Sequence, residues 1–142
     1  MLTLIALAQA TLVARGLDPS QLASLSDDTA YGDVVAVRTE RTRQSLFTVA
    51  TVRKLDGRGD VEVWLPGGCL DGLCLTVAGS PRVVTGERVF VFLHEGRPTS
   101  LAQGLFRVVG EEARRDVAGL AFATGAAPTP VYPLAALEVY AR

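Results

Sequence analysis

The spacing of apolar side chains changes along the chain from a helical period to a strand period. Near the start, "LDPSQLASLSDD" places Leu17, Leu22 and Leu25 on one helical face. Asp18 is suited to the N-cap and Pro19 to the first helical position. From residue 30 onward, valines alternate with polar residues, which is typical of half-buried strands. The pattern predicts a short helix followed by β-structure.

The alternation continues through most of the remaining chain. It predicts strands over residues 30–39, 46–55, 61–65, 73–79, 88–94 and 104–110, with a seventh at 119–123. The fifth strand, "RVFVFLH", is apolar on both faces, so we expect it to be central and covered on both sides. "PLAALEVYAR" then predicts a closing helix with Leu134, Leu137 and Tyr140 on one stripe.

These elements indicate a mostly β fold with a short helix near each end. No repeat and no strand–helix–strand alternation occurs, which excludes a doubly wound fold. We favour a small OB-like β-barrel of five or six strands, because the first two strands are long and glycines lie near predicted bends. A β-sandwich is the alternative. The length suits one such domain, over residues 11–142.

Both cysteines lie in "GGCLDGLCL", with four residues between them and an Asp-Gly pair at the centre. Asp-Gly is a strong signal for a two-residue hairpin turn, since both residues tolerate positive φ. Such a turn pairs Leu70 with Leu73, and Cys69 with Cys74 at the next, non-hydrogen-bonded rung. Opposed Cα atoms there lie roughly 4.5–5.5 Å apart, which allows a disulfide. The sequence therefore predicts a cross-strand disulfide and an oxidising compartment.

Other roles for the cysteines are less well supported by the sequence. A structural zinc site usually has four ligands, and the chain offers only Cys69, Cys74 and His94. Redox-active pairs are typically separated by two residues. Two reduced, half-buried cysteines in a cytosolic protein remain the alternative to the disulfide. We predict no metal site and no cofactor.

The first ten residues, "MLTLIALAQA", form an apolar run that ends in the small-x-small pattern Ala8-Gln9-Ala10. That pattern is typical of a signal-peptidase site, although export signals usually run about 15–30 residues with a basic start. We interpret residues 1–10 as a truncated signal peptide, with the mature chain beginning near Thr11. A first β-strand or a buried N-terminal segment is the alternative. Together with the disulfide, the run predicts a secreted or periplasmic protein.

Composition adds limits rather than a function. Hydrophobic residues make up 49% of the chain, charged residues 20%, and the net charge is −1. This balance gives no general attraction to nucleic acid or anionic lipid, and no apolar run approaches the ~20 residues of a membrane-spanning helix. A basic stripe remains conceivable, but aromatic residues for base stacking are only 6%. We predict no nucleic-acid partner and no transmembrane segment. The residues of the basic stripe are Arg38, Arg41, Arg43, Arg53 and Lys54.

Several short motifs follow one another in a fixed order. They are Ser26-Asp27, "YGDVVAVRTE", Pro66-Gly67-Gly68, Gly79-Ser80-Pro81, Gly86-Glu87, Phe92-Leu93 and "AQGLFRVV". In this order they resemble a family of exported bacterial proteins and domains of largely unknown function. The resemblance covers residues 17–109, with polar Asp28-Thr29 where the family usually has apolar residues. It implies secretion to the periplasm or beyond, and it carries no activity and no catalytic residue.

Candidate catalytic residues are few. His94, the single histidine, ends the apolar fifth strand. A hydrolase would need it to meet Ser45, Ser80 or Ser100 and a carboxylate, and none of these serines lies in a sequence typical of a catalytic turn. A surface position at a strand end is the simpler interpretation. Acidic pairs at 27–28, 60/62 and 111–112 are interpreted as solvated faces, because no further ligand cluster accompanies them. We predict no catalytic residue.

Trp64 and the cysteine hairpin are the candidates for a contact site. Trp64 is flanked by inward-facing residues, so it lies either outside or under a terminal helix. Exposed, it would be a binding anchor, and the hairpin would add a protruding apolar contact. The predicted contact residues are Trp64, Leu70, Asp71, Gly72 and Leu73.

The sequence thus predicts a secreted, non-enzymatic β-barrel module that binds another protein, such as an envelope component or an extracellular protease. Two alternatives stay open: a hydrolase using His94, and a purely structural envelope domain.

Overall fold

The computed structural model describes residues 11–141, so the predicted signal peptide lies outside the described residues. The strands are β1 (Thr11–Arg15), β2 (Asp28–Arg41), β3 (Leu46–Lys54), β4 (Asp60–Pro66), β5 (Gly68–Leu70), β6 (Leu73–Leu75), β7 (Arg88–His94), β8 (Arg97–Pro98), β9 (Leu105–Val109), β10 (Glu112–Arg114), β11 (Leu120–Thr124) and β12 (Val131–Pro133). The helices are α1 (Pro19–Leu25), α2 (Leu134–Glu138) and a 3-10 turn (Leu101–Gly104).

Eight strands form one antiparallel sheet in the order β12-β10-β9-β7-β2-β3-β4, with β8 also paired to β7. Two small sheets stand apart from it. One joins β1 and β11 in parallel, and the other joins β5 and β6 as a hairpin. The predicted mostly β class, with two α-helices, is confirmed.

Strand β7 lies at the centre of the main sheet and separates two hydrophobic cores. Val89, Val91 and Leu93 belong to the first core, whereas Phe90 and Phe92 belong to the second. All five are at most 2% exposed. This is the two-sided burial predicted from "RVFVFLH", since successive side chains of a strand point to opposite faces.

The first core draws its side chains mainly from β2, β3, β4 and β7, with Val83 and Leu105 added from outside these strands. The second lies under the helices, where Leu22 of α1 and Leu137 of α2 are fully buried. Leu134 and Tyr140 pack against it as predicted, although α2 is shorter than expected and ends at Glu138, before Tyr140. Leu25, the last residue of α1, is different: it is 54% exposed and belongs to neither core, so its predicted place on the buried helical face is wrong.

The start of α1 follows the sequence signals. Asp18 Oδ1 accepts the Gln21 N–H at 2.8 Å, and Gln21 Oε1 accepts the Asp18 N–H at 2.9 Å. This reciprocal capping box satisfies two backbone donors at the helix N-terminus. Pro19, buried at the first helical position, needs no N–H there.

Two predicted strands pair differently in the structure. The fourth was expected over 73–79, but β6 stops at Leu75 and pairs only with β5. Residues 76–84 instead form a loop, and Val83 from this loop is buried in the first core. The seventh, β11, pairs with β1 outside the main sheet. Strands of two or three residues, such as β8, β10 and β12, are too short for alternation to reveal.

A buried glutamine fastens the N-terminal segment to the main sheet. Gln103 is 0% exposed. Its Oε1 accepts the Leu17 N–H at 2.7 Å, and its Nε2 donates to the Arg15 carbonyl at 3.2 Å and to Ser100 Oγ at 2.9 Å. The Gln103 side chain thus provides hydrogen-bond partners for the backbone of Arg15 and Leu17, because buried polar groups need such partners.

Arg115 extends this network toward the C-terminus. It is 4% exposed, and its guanidinium donates to the carbonyls of Gln103 at 3.1 Å and Thr129 at 3.0 Å. The guanidinium also lies 5.1 Å from the centre of the Phe106 ring and 5.5 Å from that of Tyr132. Burial lowers the pKa of Arg115 from its ordinary value, because water no longer solvates the charge. Its contacts to carbonyls and rings partly compensate for that lost solvation.

Candidate functional site

The cysteine hairpin has the register that the sequence predicts. Cys69 pairs with Cys74 and Leu70 with Leu73, and the sulfurs are bonded with Cα atoms 4.0 Å apart. Asp71 has φ 52° and Gly72 has φ 79°, as a two-residue type I′ turn needs. The predicted disulfide is therefore confirmed.

The base of the hairpin is anchored and its far end is not. The Gly67 N–H donates to the Leu46 carbonyl at 2.9 Å, and the Gly67 carbonyl accepts the Thr48 hydroxyl at 2.8 Å. A Cβ on Gly68 would lie 2.9 Å from Thr48 Oγ1 and 3.1 Å from Thr39 Cγ2, so β5 passes close over β2 and β3. Beyond this point β5 and β6 pair only with each other. The rest of the hairpin projects from the sheet.

The projecting end presents apolar surface. We call Leu70, Asp71, Gly72 and Leu73 the hairpin tip. Leu73 is 58% exposed, Leu70 is half-buried, and the two turn residues are exposed. None of the residues 68–75 belongs to either hydrophobic core of the described chain. The leucines at the tip are thus not needed to fill the interior.

A groove with a cavity volume of about 350 Å³ runs beside the hairpin. We call it the hairpin groove. One wall is the hairpin itself, through Cys69 and Leu75, and another is the 76–84 loop, through Val77 and Val84. Val84 is 63% exposed and Leu75 is 39% exposed, so the apolar surface of the tip continues into the groove.

Trp64 lies away from the hairpin groove. Its side chain packs edge-on against Phe47, with ring centroids 5.7 Å apart, and the backbone N–H of Trp64 donates to the Gly96 carbonyl at 2.9 Å. Arg97 covers the other ring of this pair, 4.6 Å from the centre of Phe47. Leu65 lines the groove, so its neighbour Trp64 faces the opposite side of β4. The structure does not bring Trp64 and the hairpin tip onto one surface.

His94 is exposed at the end of β7, beside an open depression with a cavity volume of about 900 Å³. Its Nδ1 lies 3.7 Å from Asp27 Oδ2, which also accepts the Glu95 N–H at 2.9 Å. Of the three candidate serines, Ser100 borders this depression. The hydroxyl of Ser80 instead donates to the Pro66 carbonyl at 2.7 Å, and Ser45 lies in the β2–β3 turn.

Two of the five cations of the basic stripe, Arg38 and Arg53, pair with acids. Arg38 contacts Glu40 at 2.9 Å and Glu62 at 2.5 Å, and these hydrogen bonds raise its pKa. Arg53 lies 3.3 Å from Asp60. The acidic residues at 60 and 62, read from sequence as a solvated pair, are thus partners for arginines on neighbouring strands. Around these two arginines the surface therefore carries both signs of charge.

Similar pairing occurs at the other end of β2, where Arg88 Nε donates to Asp33 Oδ1 at 2.9 Å. This hydrogen bond lowers the pKa of Asp33. Within residues 11–141, no group of three or more histidine, cysteine, aspartate or glutamate side chains is arranged to hold a metal ion.

Among the described residues, no helix has the length and apolar character needed to cross a membrane. Comparison of the chain with protein-family models, with curated proteins and with solved structures finds no match. The structural features that bear on function are the hairpin tip, the hairpin groove and the His94 depression.

Proposed function

We propose that this chain is an exported, non-enzymatic β-barrel module that binds another protein through the hairpin tip and the hairpin groove. The observation that carries the proposal is a disulfide-linked hairpin that pairs with no other strand of residues 11–141 and holds Leu73 in solvent. Exposed leucines on a stiff support are suited to binding, because little conformational entropy is lost when a partner covers them.

Export is supported by the bond between Cys69 and Cys74. Both cysteines are exposed, so cytosolic reductants would reach the sulfurs directly. Disulfides persist mainly in secreted, periplasmic or cell-surface proteins. The apolar N-terminal run and the resemblance to an exported family agree with this location.

The barrel architecture is supported by one hydrogen bond at the edge of the sheet. The Trp64 N–H on β4 donates to the Gly96 carbonyl, in the turn between β7 and β8, at 2.9 Å. In the series β7-β2-β3-β4, this contact places the last strand, β4, next to the turn that joins β7 to β8. A ring of β2, β3, β4, β8 and β7 around the first core is the small OB-like barrel that we propose.

The partner is expected to be an exported or envelope protein, or an extracellular protease, with an apolar recess for the hairpin tip. Photocrosslinking tests this directly. A benzoylphenylalanine at position 73 is expected to form a discrete adduct with one exported protein of the source organism, and Leu70→Asp in the same chain should abolish it. The adduct should be lost because burying the Asp carboxylate in an apolar contact costs free energy.

The matched control is benzoylphenylalanine at position 25, another exposed leucine. Leu25 lies near the start of β2, whereas the hairpin crosses β2 near Thr39, at its other end. An equal adduct from position 25, or an adduct from position 73 that survives Leu70→Asp, would contradict the proposed contact. Absence of any discrete adduct from position 73 would favour a purely structural envelope domain.

A hydrolase is the second candidate, and the depression beside His94 is the observation that favours it. Asp27 lies within 3.7 Å of His94 Nδ1, in the position of a carboxylate that orients an imidazole, and Ser100 borders the same depression. If this site acts on esters, His94→Gln should lower the rate of p-nitrophenyl butyrate hydrolysis at least about 100-fold. A rate equal to that of the wild type, or a wild-type rate no higher than that of buffer, would end this alternative.

A further inference from the structure

The hairpin combines a reducible bond with weak support from the rest of the fold. Strands β5 and β6 have three residues each and share no ladder with another strand. A two-stranded ribbon of this size is marginally stable in water on its own. The paired conformation of the hairpin therefore depends strongly on the Cys69–Cys74 bond.

The two sulfurs are accessible to a reductant. Cys69 and Cys74 are both exposed, and so are the turn residues between them and the neighbouring Leu75. Thiol–disulfide exchange requires a thiolate to approach one sulfur. Exposed disulfides meet this requirement without unfolding, and they are the ones most often labile or regulatory.

Breaking the bond would leave the interior of the protein unchanged. No residue of the hairpin contributes to the two hydrophobic cores described for residues 11–141. The bond closes a short loop, with a sequence separation of 5. Because loop-closure entropy grows with loop length, so short a loop adds little to global stability. The effect of reduction should be confined to residues 68–75.

The same bond shapes the proposed contact surface. Cys69 and Leu75 form one wall of the hairpin groove, and the register across the bond sets the positions of Leu70 and Leu73. Hydrogen bonds to Leu46 and Thr48 hold Gly67 at the base of the hairpin, so only residues 68–75 would lose their pairing on reduction. An opened hairpin would lose the register that positions Leu75 in the groove wall and Leu70 and Leu73 at the tip.

We propose that the Cys69–Cys74 disulfide is a reducible lock, through which an external dithiol switches the protein-binding surface off while the rest of the fold stays intact. A thiolate of the dithiol attacks one sulfur, the Cys69–Cys74 bond breaks, and a mixed disulfide forms. The second thiol of the reductant then displaces the cysteine. Two electrons and two protons pass to Cys69 and Cys74, and the dithiol leaves as a disulfide. This inference rests on the proposed function, because it concerns regulation of that surface.

Titration of the folded protein with dithiothreitol tests the lock. We expect two thiols, trapped with N-ethylmaleimide and counted by mass, to appear while the melting temperature changes by only a few degrees. Amide exchange over residues 68–75 should accelerate at least about tenfold, and that over 88–94 should not change. The Cys69→Ser/Cys74→Ser double variant should show the same fast exchange without reductant. Thiols that appear only when 88–94 also exchange, or unchanged exchange over 68–75 after reduction, would overturn the proposal.

The photocrosslink at position 73 separates failure of the lock from failure of the contact. Under the proposal, the adduct falls severalfold after reduction and returns on reoxidation. An adduct of equal yield in both states overturns the lock and leaves the contact standing. If the oxidised protein gives no adduct, the contact fails, whereas thiol counting and exchange still decide whether the hairpin opens.

Discussion

Replacing Gln103 by leucine is expected to destabilise the fold by about 3–5 kcal/mol, since several buried groups would lose their partners at about 1–3 kcal/mol each. Leucine has nearly the same volume but can bond neither the Leu17 N–H nor the Arg15 carbonyl nor Ser100 Oγ. The loss should loosen the N-terminal segment from the main sheet before the sheet itself unfolds.

Urea unfolding of the variant measures this effect. The matched control is Gln44→Leu, in the exposed β2–β3 turn, where the hydrogen bond recorded for Gln44 comes from its backbone N–H. The control should change stability by no more than about 0.5 kcal/mol. If Gln103→Leu lowers the free energy of unfolding by less than about 1 kcal/mol, the hydrogen bonds of Gln103 do not hold the N-terminal segment to the sheet.

Gly32→Ala is expected to cost about 3–4 kcal/mol, at the upper end for overpacking, because only backbone atoms stand in the way of the new methyl group. Gly32 lies on β2, paired with Lys54 on one side and Val89 on the other. A Cβ there would lie 2.6 Å from the Arg53 carbonyl carbon, and closer still to its oxygen. Strand β2 would have to shift away from β3.

The control for this variant separates steric clash from backbone conformation. Gly57 has φ +76° and open space around its Cβ position. Gly57→Ala should therefore cost only the strain of a left-handed residue, about 1–2 kcal/mol. Equal urea midpoints for the two variants would show that a Cβ at position 32 does not clash with the backbone of β3.

The parts of the fold that sequence predicts well are those set by neighbouring residues. The hairpin register follows from Asp71-Gly72, whose turn leaves one pairing for the flanking residues. The first helix follows from Asp18 and Pro19, and β7 follows from a run that is apolar on both faces. In each case the signal and the structure lie within about ten residues.

Features that depend on distant contacts were not predictable in this way. The parallel pairing of β1 with β11 joins residues more than a hundred positions apart. Gln103 and Arg115 are polar types that usually lie at the surface, and nothing adjacent in sequence marks them as buried. Similarly, Asp27 and His94 meet only because β2 pairs with β7.

The motifs behind the family resemblance have structural explanations in this fold. In "AQGLFRVV", Gln103 fastens the N-terminal segment, and Phe106 is fully buried. A Cβ on Gly104 would lie 2.7 Å from the Thr99 nitrogen. The Gly86 N–H donates to the Val34 carbonyl, and the Glu87 carbonyl accepts the Val34 N–H, each at 2.8 Å. Such motifs would be shared by proteins with a common fold, whatever their activities.

The candidate site was predictable only in part. The hairpin tip and its bond followed from local signals, but the hairpin groove depends on where the 76–84 loop runs, and alternation misassigned the first part of that loop, residues 76–79, as strand. The opposite placement of Trp64 follows from the pairing of β4 with β3 and from the Gly96 contact. These are tertiary choices that a strand pattern does not encode.

Cys69 and Cys74 are bonded in the structure, and we propose that the protein is located outside the cytoplasm. Intact mass of the protein from fractionated native cells and medium, treated with N-ethylmaleimide before and after reduction, tests it most directly. We expect the protein in the periplasm or the medium, unmodified before reduction and carrying two adducts after it. Two adducts without reduction, or a protein confined to the cytoplasm, would contradict it.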